Sequence, residues 1–181
     1  MADAATDNGH FALFGLAPGF ALDRDELTRR YRELQKAVHP DRYANAGESE
    51  RLMAVSQAAR INDAYQTLRD PISRARYLLQ QLGGSWQDEQ TMQDKAFLFE
   101  QMELREELEG LQDERELDAL EAFAKRVRAL ELAQEQRLAQ AFADLTQLQL
   151  GQGRSEIQKL MFFRKLREET EHEIHAVLDE S

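Results

Sequence analysis

Apolar residues return every three to four positions along most of this chain, and little interrupts that rhythm. Leu27, Tyr31, Leu34 and Val38 fall at i, i+4, i+7 and i+11, and Ala54, Ala58, Ile61, Tyr65 and Leu68 repeat the spacing. That period lines one face of an α-helix, whereas a half-buried strand alternates every second residue. No strand alternation and no internal repeat is found. Only 3 prolines and 9 glycines punctuate 181 residues, and Leu, Ala, Glu, Gln and Arg, which favour helix, are abundant. The sequence predicts an all-α chain.

The breaks divide it. A short apolar segment, "HFALFGL", precedes a turn at Pro18-Gly19. Asp23 and Glu26 have the spacing of a capping box and open a helix. That helix should end at Val38 or His39, because Pro40 disfavours the α region for the residue before it. A loop of about ten residues separates it from the next run, so the two helices are predicted to pack as an antiparallel hairpin. Pro71 suits a first helical turn, and Ile72, Ala75, Leu78, Leu79 and Leu82 continue from it. Gly83-Gly84-Ser85 is the strongest break. It predicts a first domain over residues 1–83, a connector over 84–90 and a second domain over 91–181. Three helical patterns fill the second, roughly 91–110, 113–149 and 154–179, punctuated by Gly110 and by Leu150-Gly151-Gln152-Gly153. Short connections between them imply a three-helix bundle.

Charge separates the halves as well. Residues 1–80 carry 11 basic and 11 acidic side chains; residues 81–181 carry 12 against 23, the whole of the net charge of −11. Such acidity argues against a general nucleic-acid or membrane-surface binder, which needs a basic face. The absence of cysteine excludes disulfides and thiolate-held zinc or iron–sulfur centres in this chain. "MADAATDNGH" has no basic, apolar leader pattern, and no stretch approaches the length of a membrane span. The expectation is a soluble, cytoplasmic protein.

The first hairpin turns at "AVHPDRYANAG". His39 and Asp41 are the types that serve as general base and orienter. No cysteine or G-x-S-x-G nucleophile accompanies them, and Pro40 is expected to keep His39 from folding back onto Asp41. A solvated turn is the plain alternative. Its context says more. Arg29, Arg32 and Lys36 lie at i, i+3 and i+7, clear of the apolar stripe, with Arg30 and Arg42 near. A basic strip leading into a rigid loop that displays an imidazole and a carboxylate has the character of a docking surface for an acidic partner.

A short first helix, a basic second helix, His39-Pro40-Asp41 in the loop and a third helix reading "INDAYQTLRDP" resemble a J-domain. With "FGL", "KAFLFEQMELREELE" and "KLMFFRKLR" the whole chain resembles the HscB family of J-type co-chaperones in iron–sulfur cluster assembly. It lacks the Gly/Phe-rich linker and zinc-binding repeats of general DnaJ. The resemblance implies no catalysis and no cofactor. It implies that His39, Pro40, Asp41, Arg29, Arg32 and Lys36 engage the DnaK-type ATPase HscA, and that the bundle holds the scaffold IscU through Leu98, Phe99, Met102, Glu103, Glu106 and Phe162. Gly110 replaces an acidic residue that often ends that stripe, and is expected to end the helix early.

The residues read alone leave alternatives. Leu98, Met102 and Glu106 fall at i, i+4 and i+8, which suits either a contact stripe or bundle core. Met161, Phe162 and Phe163 are consecutive, so at least one faces outward in part. A client other than IscU is possible for the same architecture. So is a carboxylate–histidine metal site, since Glu169, His172 and His175 are spaced by three, but no second bundle helix carries a histidine.

Overall fold

The computed structural model describes residues 9–43, 46–86 and 94–179, except for the side chain of Pro40. Seven α-helices and one 3-10 turn, with no strand, make up the described residues. They fall into two compact units, 1–81 and 82–181.

In the first unit α1 (His10–Leu13) is followed by α2 (Arg24–Ala37), a 3-10 turn (Pro40–Tyr43), α3 (Glu48–Arg69) and α4 (Pro71–Gln81). Asp23 starts α2, its Oδ1 accepting from the N–H groups of Asp25 and Glu26. Glu26 does not complete the box; its carboxylate takes Arg29 and Arg30 instead. Leu27 on α2 and Ile61, Ala64 and Leu68 on α3 are buried together with Phe11 and Phe14. Truncating such a residue, Leu27→Ala for instance, costs about 2–5 kcal/mol. Tyr31 stacks on Tyr65 with ring centroids 4.0 Å apart, closing the hairpin.

Arg30 ties α1 to this hairpin. Its guanidinium donates to the carbonyls of Phe14 and Gly15, in the turn that follows the short helix. Gly15 has φ 61°, and a Cβ there would lie 2.8 Å from the Arg30 Nη1. The left-handed φ favours glycine, and a Cβ would also push the Arg30 guanidinium off its two carbonyls. At the α3–α4 corner Asp70 Oδ2 caps the Ser73 N–H. The buried Arg74 donates to the Leu68 carbonyl while lying over the Phe20 ring.

The second unit holds α5 (Lys95–Glu114), α6 (Leu117–Ala141) and α7 (Leu150–Asp179). Phe97, Leu104 and Leu108 of α5 pack on Leu120, Phe123 and Val127 of α6 and on Phe162, Phe163 and Leu166 of α7. Arg167 bridges Glu131 and Glu171, and Arg128 also meets Glu171, so α6 and α7 are laced on their exposed side.

Three sequence-derived bounds are corrected. α5 runs through Gly110, which faces solvent, and stops at Arg115, whose φ of 54° closes the helix in the left-handed region. A water-facing glycine weakens a helix by only about 1 kcal/mol and does not break it. α6 ends at Ala141 rather than near 149, because Asp144 Oδ1 accepts from the Thr146 N–H and hydroxyl and turns the chain. α7 begins at Leu150 and absorbs both glycines. A Cβ at Gly153 would sit 3.2 Å from Phe142 and Leu148, so the glycine permits close packing there. Residues 91–93, expected to begin α5, lie outside the described residues; Asp94 is its N-cap.

Candidate docking surfaces

The first surface joins α2 to the 3-10 turn. α2 stops at Ala37 with Val38 as its cap, and Pro40, whose fixed φ suits a 3-10 helix, opens the turn. The turn packs against α3. It brings His39 and Asp41 together, correcting the expectation that Pro40 keeps them apart. The Asp41 N–H donates to His39 Nδ1 at 3.3 Å, and Asp41 Oδ2 is 3.4 Å from that nitrogen. The proline redirects the chain so that the local pair forms. Both side chains are exposed, 58% and 90%, which suits recognition and not a water-excluded reaction.

On α2, Arg29, Arg32 and Lys36 are exposed. Arg29 forms ion pairs with Glu26 at 2.8 Å and Glu33 at 2.7 Å. Hydrogen bonds from Arg29 and then Arg30 hold the Glu26 carboxyl below the usual carboxylate range. The strip is therefore mixed in sign at Arg29 and most positive toward Arg32 and Lys36. Arg30 belongs to the interior joint described above, not to the strip. Arg42 reaches the Lys36 carbonyl at 3.5 Å.

The second surface is the outer face of α5. Phe99 and Met102 are 62% and 59% exposed, and Leu98 is 37% exposed. Glu103 and Glu106 are exposed beside them. Phe97, Leu104 and Leu108 satisfy the core from the opposite face. The outer apolar residues are thus surplus to folding, and single-residue exposure of this size in adjacent turns makes a patch.

Phe162 is corrected. It does not extend the patch; it is buried, 9% exposed, edge-on to Phe97 with centroids 5.6 Å apart. Arg105 lies over its ring and faces Glu169 at 3.8 Å. Phe163 is buried too, and Met161 is the partly exposed member of the trio. Glu169 also meets Lys165, and among the described residues no three histidine or acidic side chains gather as a metal site would need.

Leu52, Met53 and Val55, each more than 60% exposed at the start of α3, form an apolar face that the helical period alone does not single out. Four consecutive apolar residues, 52–55, were the available signal; a helix cannot bury all of them.

Comparison with known proteins gives the same two-part division. Residues 10–77 match the DnaJ domain family, and residues 93–171 match the family described as HSCB C-terminal oligomerisation domain. A co-chaperone protein HscB homolog of Vibrio vulnificus is 50% identical over 164 residues, 90% of this chain and 94% of the relative. One from Aliivibrio fischeri is 44% identical over the same shares. The structure of chaperone HscB from Vibrio cholerae is similar with a TM-score of 0.77 at 45% identity, covering 91% of this chain and 96% of that one. Human co-chaperone protein HscB is similar with a TM-score of 0.82 at 26% identity, over 92% and 82%.

Proposed function

The chain belongs to the HscB family of J-domain co-chaperones, and from that premise we propose that it is a two-handed adaptor of iron–sulfur cluster assembly. It binds the scaffold IscU, delivers it to the DnaK-type ATPase HscA, and stimulates ATP hydrolysis by that partner. Residues 1–83 act as the J-domain, 84–90 as connector and 91–181 as the client-binding bundle. The protein works in the cytoplasm and contributes no catalytic group or cofactor of its own. Among the described residues no helix is long and apolar enough to cross a membrane.

The observation that carries this reading is the exposed stripe of Leu98, Phe99 and Met102 edged by Glu103 and Glu106. Apolar residues at the centre of an interface gain most from exclusion of water, while charges at its edge steer a cationic partner. The exposed His39–Asp41 pair and the cations Arg29, Arg32 and Lys36 support the ATPase-facing role. Their effect is allosteric: they bind one conformation of the ATPase better and so favour it. Holding client and ATPase on one chain raises the client's effective concentration.

Titration of the full chain with purified IscU tests the client. Saturable binding is expected. Absence of binding, with stimulation of HscA retained, would leave a J-domain adaptor for a different client.

A further inference from the structure

The scaffold-facing helix α5 is fixed to its unit by one stripe of residues. Its next buried residue after Phe97 is Leu104, about two turns along. The first turn, which aims Leu98 and Phe99, therefore depends on what holds Asp94 and Phe97. Asp94 divides its carboxylate. Oδ1 accepts from the Phe97 N–H at 3.1 Å, capping the helix, and Oδ2 faces Lys159 Nζ at 2.8 Å. Lys159 comes from α7 and is itself mostly buried, 16% exposed. Its ammonium lies 5.5 Å from the Phe97 ring centroid and 3.8 Å from Glu156 Oε1. Glu156 in turn accepts from the Gln134 amide of α6, on its carboxylate at 2.6 Å and on its backbone carbonyl at 3.1 Å. Gln134 is 1% exposed. One polar chain thus runs from the α5 N-cap through α7 to α6. The carboxyl of Asp94 is held below the usual range, chiefly by the Lys159 hydrogen bond.

We propose that Lys159, acting through Asp94, is the positioning residue of the scaffold-binding surface: it pins the first turn of α5 and thereby sets the direction of Leu98 and Phe99. The proposal rests on the client-binding role proposed above. Lys159 touches no partner in this account; its effect passes through the N-cap and Phe97. A charge on a half-buried pair of this kind fixes geometry more than it adds stability.

The test uses the full-length protein and IscU. Asp94→Asn is the informative variant, because asparagine caps a helix as well as aspartate and removes only the charge that Lys159 meets. Asp94→Asn and Lys159→Met should each weaken IscU binding about threefold to tenfold, and the double variant should be no weaker than the worse single, as coupled partners require. Lys159→Arg should restore most of the affinity. Stimulation of HscA in the absence of IscU, which reads the first unit alone, should be unchanged throughout. A thermal melt of each variant keeps loss of fold apart from loss of position. Wild-type affinity for Asp94→Asn and Lys159→Met, beside clear loss for Phe99→Ala, overturns the positioning role and leaves the client surface standing. Equal, additive losses in the double variant also overturn it. Unchanged binding for Phe99→Ala and Met102→Ala as well removes the surface, and the proposal with it.

Discussion

Replacing Phe99 and Met102 by alanine, and separately Phe162, distinguishes a contact surface from a core. Fully burying a side chain of this size is worth about 1.5–3 kcal/mol. Phe99 and Met102 have 62% and 59% of their surface still in water. A partner that covers the remainder gains roughly 1–2 kcal/mol from each. Losing one should therefore raise Kd about fivefold to thirtyfold. The folded state already leaves these atoms wet, so the bundle should lose less than about 1 kcal/mol of its own stability per substitution. Phe162 is the reverse case. At 9% exposed, against Phe97, Phe163 and the Arg105 guanidinium, its truncation should cost about 3–5 kcal/mol of folding free energy. Urea unfolding and IscU titration by calorimetry read the two quantities on the same samples. A stable Phe162→Ala protein that fails to bind IscU would refute the placement of Phe162 in the core. Unchanged affinity in Phe99→Ala and Met102→Ala would refute the outer face of α5 as the client surface.

Three further outcomes follow from the geometry. Arg30→Met should destabilise the first unit by about 1–3 kcal/mol in urea unfolding, because the Phe14 and Gly15 carbonyls lose their donor. Gly15→Ala should do so by at least about 1 kcal/mol, since φ is 61° and the Cβ meets Arg30. Acid should weaken the fold in a defined direction. Burial alone would raise the Glu171 carboxyl, but the hydrogen bond from Arg128 and the charges of Arg167 and Arg128 outweigh it, and it ends below its ordinary 4.5. A carboxyl lowered in the folded state contributes stability above its unfolded pKa and loses it as pH falls through the lower folded value. Melting temperature should therefore drop as pH falls below about 4.5, and Glu171→Gln should flatten part of that slope.

The hairpin of the first unit was legible because three signals agreed: a 3.6-residue period, Asp23 at the cap and Pro40 as the stop. The all-α fold followed from similar local evidence, whereas the outward face of Phe99 and Met102 was implied only by the family resemblance, because the helical spacing of Leu98, Met102 and Glu106 suits a contact stripe or a bundle core equally. Other features depend on contacts between residues distant in the chain. Gly110 and Gly153 are the same residue type in helical sequence; one faces water and the other packs on Phe142 and Leu148, so neither stops a helix. Residues 142–149 keep a helical composition, but the Asp144 side chain captures Thr146 and ends the run. The period placed Phe162 on a helix face without saying whether Phe97 or a partner would cover that face. At His39 the sequence emphasised the stiffness of proline and missed its direction; the 3-10 turn returns Asp41 toward the imidazole.

The central claim is that one chain couples a client to an ATPase through two separate surfaces. ATP turnover by HscA in the presence of IscU, with wild-type protein beside Asp41→Asn, tests it most directly. The account predicts strong stimulation by the wild type and none by Asp41→Asn, with IscU binding of the variant intact. Stimulation that survives Asp41→Asn would contradict the role of the turn, and simultaneous loss of IscU binding would contradict the separation of the two surfaces.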